Sequence, residues 1–354
     1  MKQYEHGGNV YQPSPTGAWL DFSANINPMG LMPEVRQTLE EHLVDVVNYP
    51  DPDAHDLKAA IAKHYGIGEE YILPGNGAAE LIYLFFQVRR LHRVLVPVPA
   101  FSDYERAARA ARSVVQQFVL LSEHGFQPDL VKMAQTAAVT DCFVFGNPNN
   151  PTGTIFTRKE LLPLLEQLRG GSQWMLVDES FMDFAEEREE ATLLPLVKEF
   201  PHLVVIHSLT KFYAMPGLRL GFAACSPELV KELSAAKDVW NVNVLAQEAG
   251  AVVLAHPEYD EATRKLVREE RAFMQGRLSA MHGIRVLNGA ANFLLLDVHG
   301  TGHSSSAIAE ALRQHGILVR DCANYESLDA GWLRVAVRKH EENVKFLEQL
   351  EAIL

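Results

Sequence analysis

Leu203-Val204-Val205-Ile206-His207-Ser208-Leu209-Thr210-Lys211-Phe212-Tyr213-Ala214-Met215-Pro216-Gly217-Leu218-Arg219-Leu220-Gly221 runs from an unbroken apolar segment straight into residues that carry hydroxyl and cationic groups. Leu203–Ile206 reads as a strand covered on both faces, because no polar residue alternates with the apolar ones. Arg93–Val98, Cys142–Phe145 and Trp174–Val177 are runs of the same kind, and helices are expected between them at Ala78–Gln87, Asp103–Arg112 and Arg158–Leu168. Thr157 with Glu160 three residues on supplies a capping box for the last helix. Strands and helices alternating in this way predict an α/β fold: a large domain with a mostly parallel central sheet covered by helices.

On the N-terminal side, residues 1–30 are rich in Gly, Pro and Asn and follow neither the helical nor the strand period, so they read as an extended arm. A helix is expected from Pro33, with Val35, Leu39, Leu43 and Val46 on its apolar face. On the C-terminal side the texture changes near residue 243. Charged helical sequence over Glu258–Met281 gives way to strand-like Asn292–Val298, Ile317–Arg320 and Leu333–Val337, with a closing helix from about Lys339. The expected organisation is an arm over 1–30 packed with a small α+β domain over 243–354, and a large domain over 31–242 between them.

The chain has 354 residues, 47% hydrophobic and 22% charged, the composition of an ordinary globular enzyme. Its 32 Lys and Arg face 45 Asp and Glu, a formal net charge of −13, which argues against nucleic acid or anionic membrane as a partner. Cys142, Cys225 and Cys322 are widely spaced and offer neither a disulfide framework nor a zinc ribbon. The N-terminus carries no apolar signal core, and a cytoplasmic location is expected. His42, His64 and His92 fall on expected helix surfaces, so no metal is assigned.

Four segments carry chemistry. Gly75-Asn76-Gly77-Ala78-Ala79-Glu80 joins a short strand to a helix and suits either an anion held on backbone N–H groups or a plain tight turn. It is neither a Rossmann fingerprint nor a P-loop. Asn147-Pro148-Asn149-Asn150-Pro151-Thr152-Gly153 ends a strand, where ligand groups collect in open α/β sheets, and also reads as a turn. Asp178 ends the next strand, as a partner for a protonated ring nitrogen or as a helix cap. Lys211, directly after a buried strand and amid Phe212, Tyr213 and Met215, loses hydration, which frees its amine for carbonyl chemistry. Ser208 and Arg219 flank it with a hydroxyl and a cation suited to phosphate.

In this order and spacing the segments resemble the fold-type-I pyridoxal-phosphate enzymes of the class I and II aminotransferase superfamily, a likeness running from Asp21 to Arg338. The resemblance implies pyridoxal 5′-phosphate as cofactor, with Lys211 forming its Schiff base, Asp178 pairing with the pyridine nitrogen and Asn150 bonding the ring's 3′ oxygen. It implies Gly77, Ala78, Ala79, Ser208 and Arg219 around the cofactor phosphate, Phe101 stacked on the ring, and Arg334 on a substrate α-carboxylate. It also implies a homodimer with shared active sites, in which Tyr49 reaches the neighbour's cofactor phosphate. His6-Gly7-Gly8-Asn9, Asp21 through Pro28, Ser208 through Leu220 and Cys322-Ala323-Asn324-Tyr325 look like the branch of the superfamily that decarboxylates L-threonine O-3-phosphate for cobalamin biosynthesis. By that likeness His6, Asn25 and Arg320 would bind the phosphate of a small phosphorylated amino acid; Arg320 also reads as a surface ion pair with Asp321. A preference for O-phospho-L-serine remains open. The histidinol-phosphate aminotransferases share the core and are the alternative, but they carry tyrosine three residues after the pyridine-binding Asp, where this chain has Phe181.

Overall fold

Successive side chains of a strand point to opposite faces, so an unbroken apolar run needs cover on both. The computed structural model, which describes residues 6–169 and 171–354, provides that cover. Its strands are β1 (Leu20–Asp21), β2 (Ile72–Gly75), β3 (Arg93–Val98), β4 (Val114–Val119), β5 (Cys142–Gly146), β6 (Trp174–Asp178), β7 (Leu203–Ser208), β8 (Gly221–Ala224), β9 (Arg285–Val286), β10 (Phe293–Asp297), β11 (Ile317–Leu318), β12 (Arg320–Asp321) and β13 (Trp332–Ala336).

Seven of them form one sheet in the order β2-β8-β7-β6-β5-β3-β4, in which only β8 runs antiparallel to its neighbours. Phe143, Phe145, Met175, Val177 and Val205 enter the core on one face of this sheet, while Val144, Leu176, Val204 and Ile206 enter a second core on the other. The mostly parallel α/β architecture expected from the apolar runs is therefore the one observed. The Thr157–Glu160 capping box is present at the start of the helix Arg158–Leu168.

A second sheet, antiparallel and in the order β12-β13-β10-β9, packs through Leu294, Leu296, Leu333 and Val335 against the helices Pro257–Ser279, Ser305–Gln314 and His340–Ile353. The N-terminal segment is tied to this part of the molecule. β1 pairs in parallel with β11, and Phe22 is fully buried with its ring centroid 4.7 Å from that of Phe346. Residues 1–5 of the expected arm lie outside the described residues.

Four local expectations need correction. Ile317–Arg320 is not one strand: Ile317–Leu318 is claimed by β1 and Arg320–Asp321 by β13, so the chain changes sheets at Val319. The helix from Pro33 stops at His42, and Leu43–Val47 continues as a 3₁₀ turn. That tighter winding takes Leu43 and Val46 off the buried stripe; they are 59% and 55% exposed. β4 and β8 were not anticipated, because β4 is an edge strand with polar glutamines and β8 is built from small residues. His64 is partly buried with Nδ1 3.1 Å from the Leu254 carbonyl oxygen, and His92 lies in the loop before β3, not on a helix.

Candidate active site

Parallel strands deliver their carboxyl ends to one edge of a sheet, and the loops that follow them meet there. At that edge a cavity of about 320 Å³ is lined by Ala78 and Ala79 after β2, Phe101 and Tyr104 after β3, Asn150 after β5, Asp178, Ser180 and Phe181 at the end of β6, and Ser208, Thr210 and Lys211 after β7. Arg219 completes it from the loop before β8. The antiparallel register sets Gly221 opposite Ser208, which carries that loop to the same edge.

The Lys211 amine donates to Ser208 Oγ at 3.2 Å and lies 5.4 Å from the Phe181 ring centroid. Burial pushes it below the usual lysine range; Arg219 and Arg334 push the same way, and Asp178 opposes them. Ser208 Oγ and Thr210 Oγ1 lie 2.9 Å apart. Beside them the helix Ala78–Arg89 begins at Gly77 with no side chain capping it, so its first N–H groups are open to an anion. Gly77 holds φ +83°, and a Cβ there would come 2.5 Å from Arg219 Nη2. Hydroxyls, open amides and a guanidinium thus converge on space that only glycine leaves free, which fits a phosphate group.

Asp178 is buried. Its Oδ2 accepts from the Tyr104 hydroxyl at 2.7 Å and its Oδ1 from the Ser180 amide at 2.9 Å, leaving acceptor capacity for a protonated ring nitrogen. Asn150 Oδ1 accepts from Arg334 and, at 3.4 Å, from the Tyr325 hydroxyl. Phe101 forms a wall, with its ring centroid 5.6 Å from that of Tyr104. A lysine, an acid, an amide, an aromatic wall and an anion cradle in one cavity match the donor set pyridoxal phosphate requires.

Arg320 and Arg334 are cross-strand partners in the β12–β13 register, so both side chains leave the same face of the second sheet. Both are buried. Arg334 also donates to the Ser23 carbonyl at 2.8 Å, and Arg320 to Asn324 Oδ1 at 2.7 Å and to the Asp321 carbonyl. Arg320 faces a second cavity of about 350 Å³, shared with His6, Phe101 and Tyr325. His6 borders both cavities, its ring 5.8 Å from Phe101; burial lowers its pKa, Asp103 opposes, and Arg320 adds to the lowering.

Asn25 is buried, lines neither cavity, and its Oδ1 has no hydrogen-bond partner. Tyr49 lies away from its own chain's cavity, 76% exposed and stacked on Trp240 with 4.1 Å between ring centroids. Sequence reasoning missed Tyr104, Thr210 and Tyr325. Tyr104 lies in the first turn of the helix Ser102–Ala110, three residues after Phe101 at its N-cap, and that closeness to the expected ring wall could have marked it.

The family model for aminotransferase class I and II matches residues 18–350. A threonine-phosphate decarboxylase of Salmonella typhimurium strain LT2 is 34% identical over 99% of this chain and 96% of its own length. The crystal structure of L-threonine-O-3-phosphate decarboxylase from Porphyromonas gingivalis superposes with a TM-score of 0.82 at 27% identity, covering 94% of this chain and 98% of that one. Histidinol-phosphate aminotransferase from Clostridium acetobutylicum gives a TM-score of 0.88, also at 27% identity, over 94% of this chain and 98% of its own. With the phosphate cradle, the buried lysine and the carboxylate already at one sheet edge, these matches establish that the chain belongs to the aminotransferase class I and II family.

Proposed function

We propose that this chain is a pyridoxal-phosphate-dependent decarboxylase that converts L-threonine O-3-phosphate to (R)-1-amino-2-propanol O-2-phosphate for cobalamin biosynthesis. Pyridoxal phosphate, when bound, supplies an electron sink for the bond broken at the substrate's Cα. Lys211 would anchor it, Asp178 would pair with its ring nitrogen and Asn150 with its 3′ oxygen, Gly77, Ala78, Ala79, Ser208 and Arg219 would hold its phosphate, and Phe101 would wall its ring. Arg334 grips the substrate carboxylate, while Arg320 and His6 take the substrate phosphate. Fixing both anionic ends sets which Cα bond stands ready to break. Once the carboxylate leaves as carbon dioxide, Lys211 Nζ would deliver the proton that replaces it at Cα.

One observation carries the choice of substrate: two buried arginines, opposite each other on adjoining strands, suit a molecule with two separate anionic groups. The test is carbon dioxide release from phosphothreonine, phosphoserine and histidinol phosphate, each with and without 2-oxoglutarate. Release from a phosphoamino acid without any keto acid is expected. Turnover that requires the keto acid and favours histidinol phosphate would assign the chain to amine transfer instead.

The reading includes a homodimer in which Tyr49 of the partner subunit reaches the cofactor phosphate. Leu43, Val44, Val46 and Val47 form an exposed apolar ridge beside Tyr49 and Trp240, a patch that a second copy would cover. No helix among the described residues is long and apolar enough to cross a membrane. The three cysteines are buried and unpaired, which supports a reducing, cytoplasmic setting.

A further inference from the structure

Asp178 is held from two sides before any ligand reaches it. The Tyr104 hydroxyl donates to Oδ2 at 2.7 Å and the Ser180 amide to Oδ1 at 2.9 Å, so the carboxylate plane cannot turn without losing one of the two bonds. Tyr104 is 1% exposed, and its ring is set edge-on against Phe101 at an interplanar angle of 81°. The sheet makes room for the hydroxyl. Asp178 pairs in register with Gly146 on β5, and a Cβ at Gly146 would come 3.1 Å from Tyr104 Oη. Burial, and then the charge of Asp178, drive the phenol well above its ordinary pKa, so it stays a donor and leaves Asp178 the acceptor.

A carboxylate that already accepts two fixed hydrogen bonds presents its remaining lone pairs in one direction, because turning it breaks one of the bonds. We propose that Tyr104 is a positioning residue acting through Asp178: its hydroxyl fixes the carboxylate in the one orientation that meets the cofactor's ring nitrogen. This rests on the assignment of pyridoxal phosphate to the cavity. The other titratable groups around the carboxylate are Lys211 after β7, Asp103 on the helix with Tyr104, Glu179 beside it in the chain and His207 on β7.

Tyr104→Phe keeps the ring and deletes the bond. With the Asp178 carboxylate free to turn away, positive charge on the ring nitrogen falls, and the Lys211–cofactor linkage, which that charge acidifies, should titrate at higher pH. The measurement is the pH midpoint of the cofactor absorbance in the holoenzyme, together with the ¹⁵N shift of ring-labelled pyridoxal phosphate. Tyr104→Phe should raise the midpoint by about 0.5 unit or more and lower kcat about tenfold with little change in KM. Replacing Tyr104 by 3-fluorotyrosine, nearly the same shape but a stronger donor, should move the midpoint down. In an Asp178→Asn background the Tyr104→Phe change should have no spectral effect. A midpoint that stays with the wild type in both Tyr104 variants overturns the proposal. A wild-type protein with no cofactor band overturns the cofactor assignment itself.

Discussion

Arg320 and Arg334 meet in register across β12 and β13, yet their surroundings differ. Arg334 is bound to Asn150, whose side chain lines the Lys211 cavity, and to the Ser23 carbonyl, whereas Arg320 faces the neighbouring cavity with its guanidinium carbon 5.0 Å from the Tyr325 ring centroid. Each would form charge-assisted bonds in a water-poor cleft, so removing either should cost on the order of 2–5 kcal/mol in transition-state binding, more than a surface ion pair is worth. The losses should differ in kind. Arg320→Ala should lower kcat/KM for phosphothreonine while leaving the weak reaction of threonine nearly unchanged; Arg334→Ala should lower both alike. Equal losses on the two substrates in Arg320→Ala would remove Arg320 as the phosphate anchor.

At the scale of elements, the end of β6 is a joint. Asp178 faces the cavity, while the next residue, Glu179, turns its fully buried carboxyl to the Leu193 amide and the Thr192 hydroxyl, both at 2.6 Å. Burial pushes the Glu179 pKa up to about 8; the two hydrogen bonds pull it down, and the charges of Asp183 and Asp178 raise it further. The folded state therefore holds this proton to higher pH than the unfolded chain does. Because the folded protein binds more protons between the ordinary carboxylate range and about pH 8, its stability falls as pH rises through that window. Glu179→Gln keeps an acceptor for Leu193 and removes the titration. Unfolding in urea at several pH values should show the variant gaining on the order of 2 kcal/mol over wild type above the window and nothing at its acid end. A constant difference across the range would mean that Glu179 is ionised throughout.

On the scale of the whole molecule, the ridge Leu43 to Val47 and the Tyr49–Trp240 stack are unusual for an exposed surface, since they set several large apolar side chains side by side. In the proposed dimer this surface is buried and Tyr49 completes the second site, so association and activity should be lost together. The double variant Val44→Asp, Val47→Asp should sediment as a monomer and lose most cofactor binding and activity. A monomer retaining full activity would refute the shared site.

Leu203–Ile206 and its sister runs required a sheet covered on both faces, because only that burial satisfies strands with no polar side, and the burial of Lys211 was legible from the same runs. These are local properties, written in consecutive residues. The partners of Asp178 and the pairing of the arginines are not. Tyr104 and Asp178 lie 74 residues apart, and Arg334 and Asn150 184, so no periodicity links them. The same limit explains the break at Val319: four apolar-to-charged residues look like one strand until β1 and β13, from opposite ends of the chain, each claim half. Composition and spacing determined what kind of sheet forms and which residues end its strands. Which side chains then meet across that edge was decided by packing and register, because those contacts join segments that only the folded chain brings together.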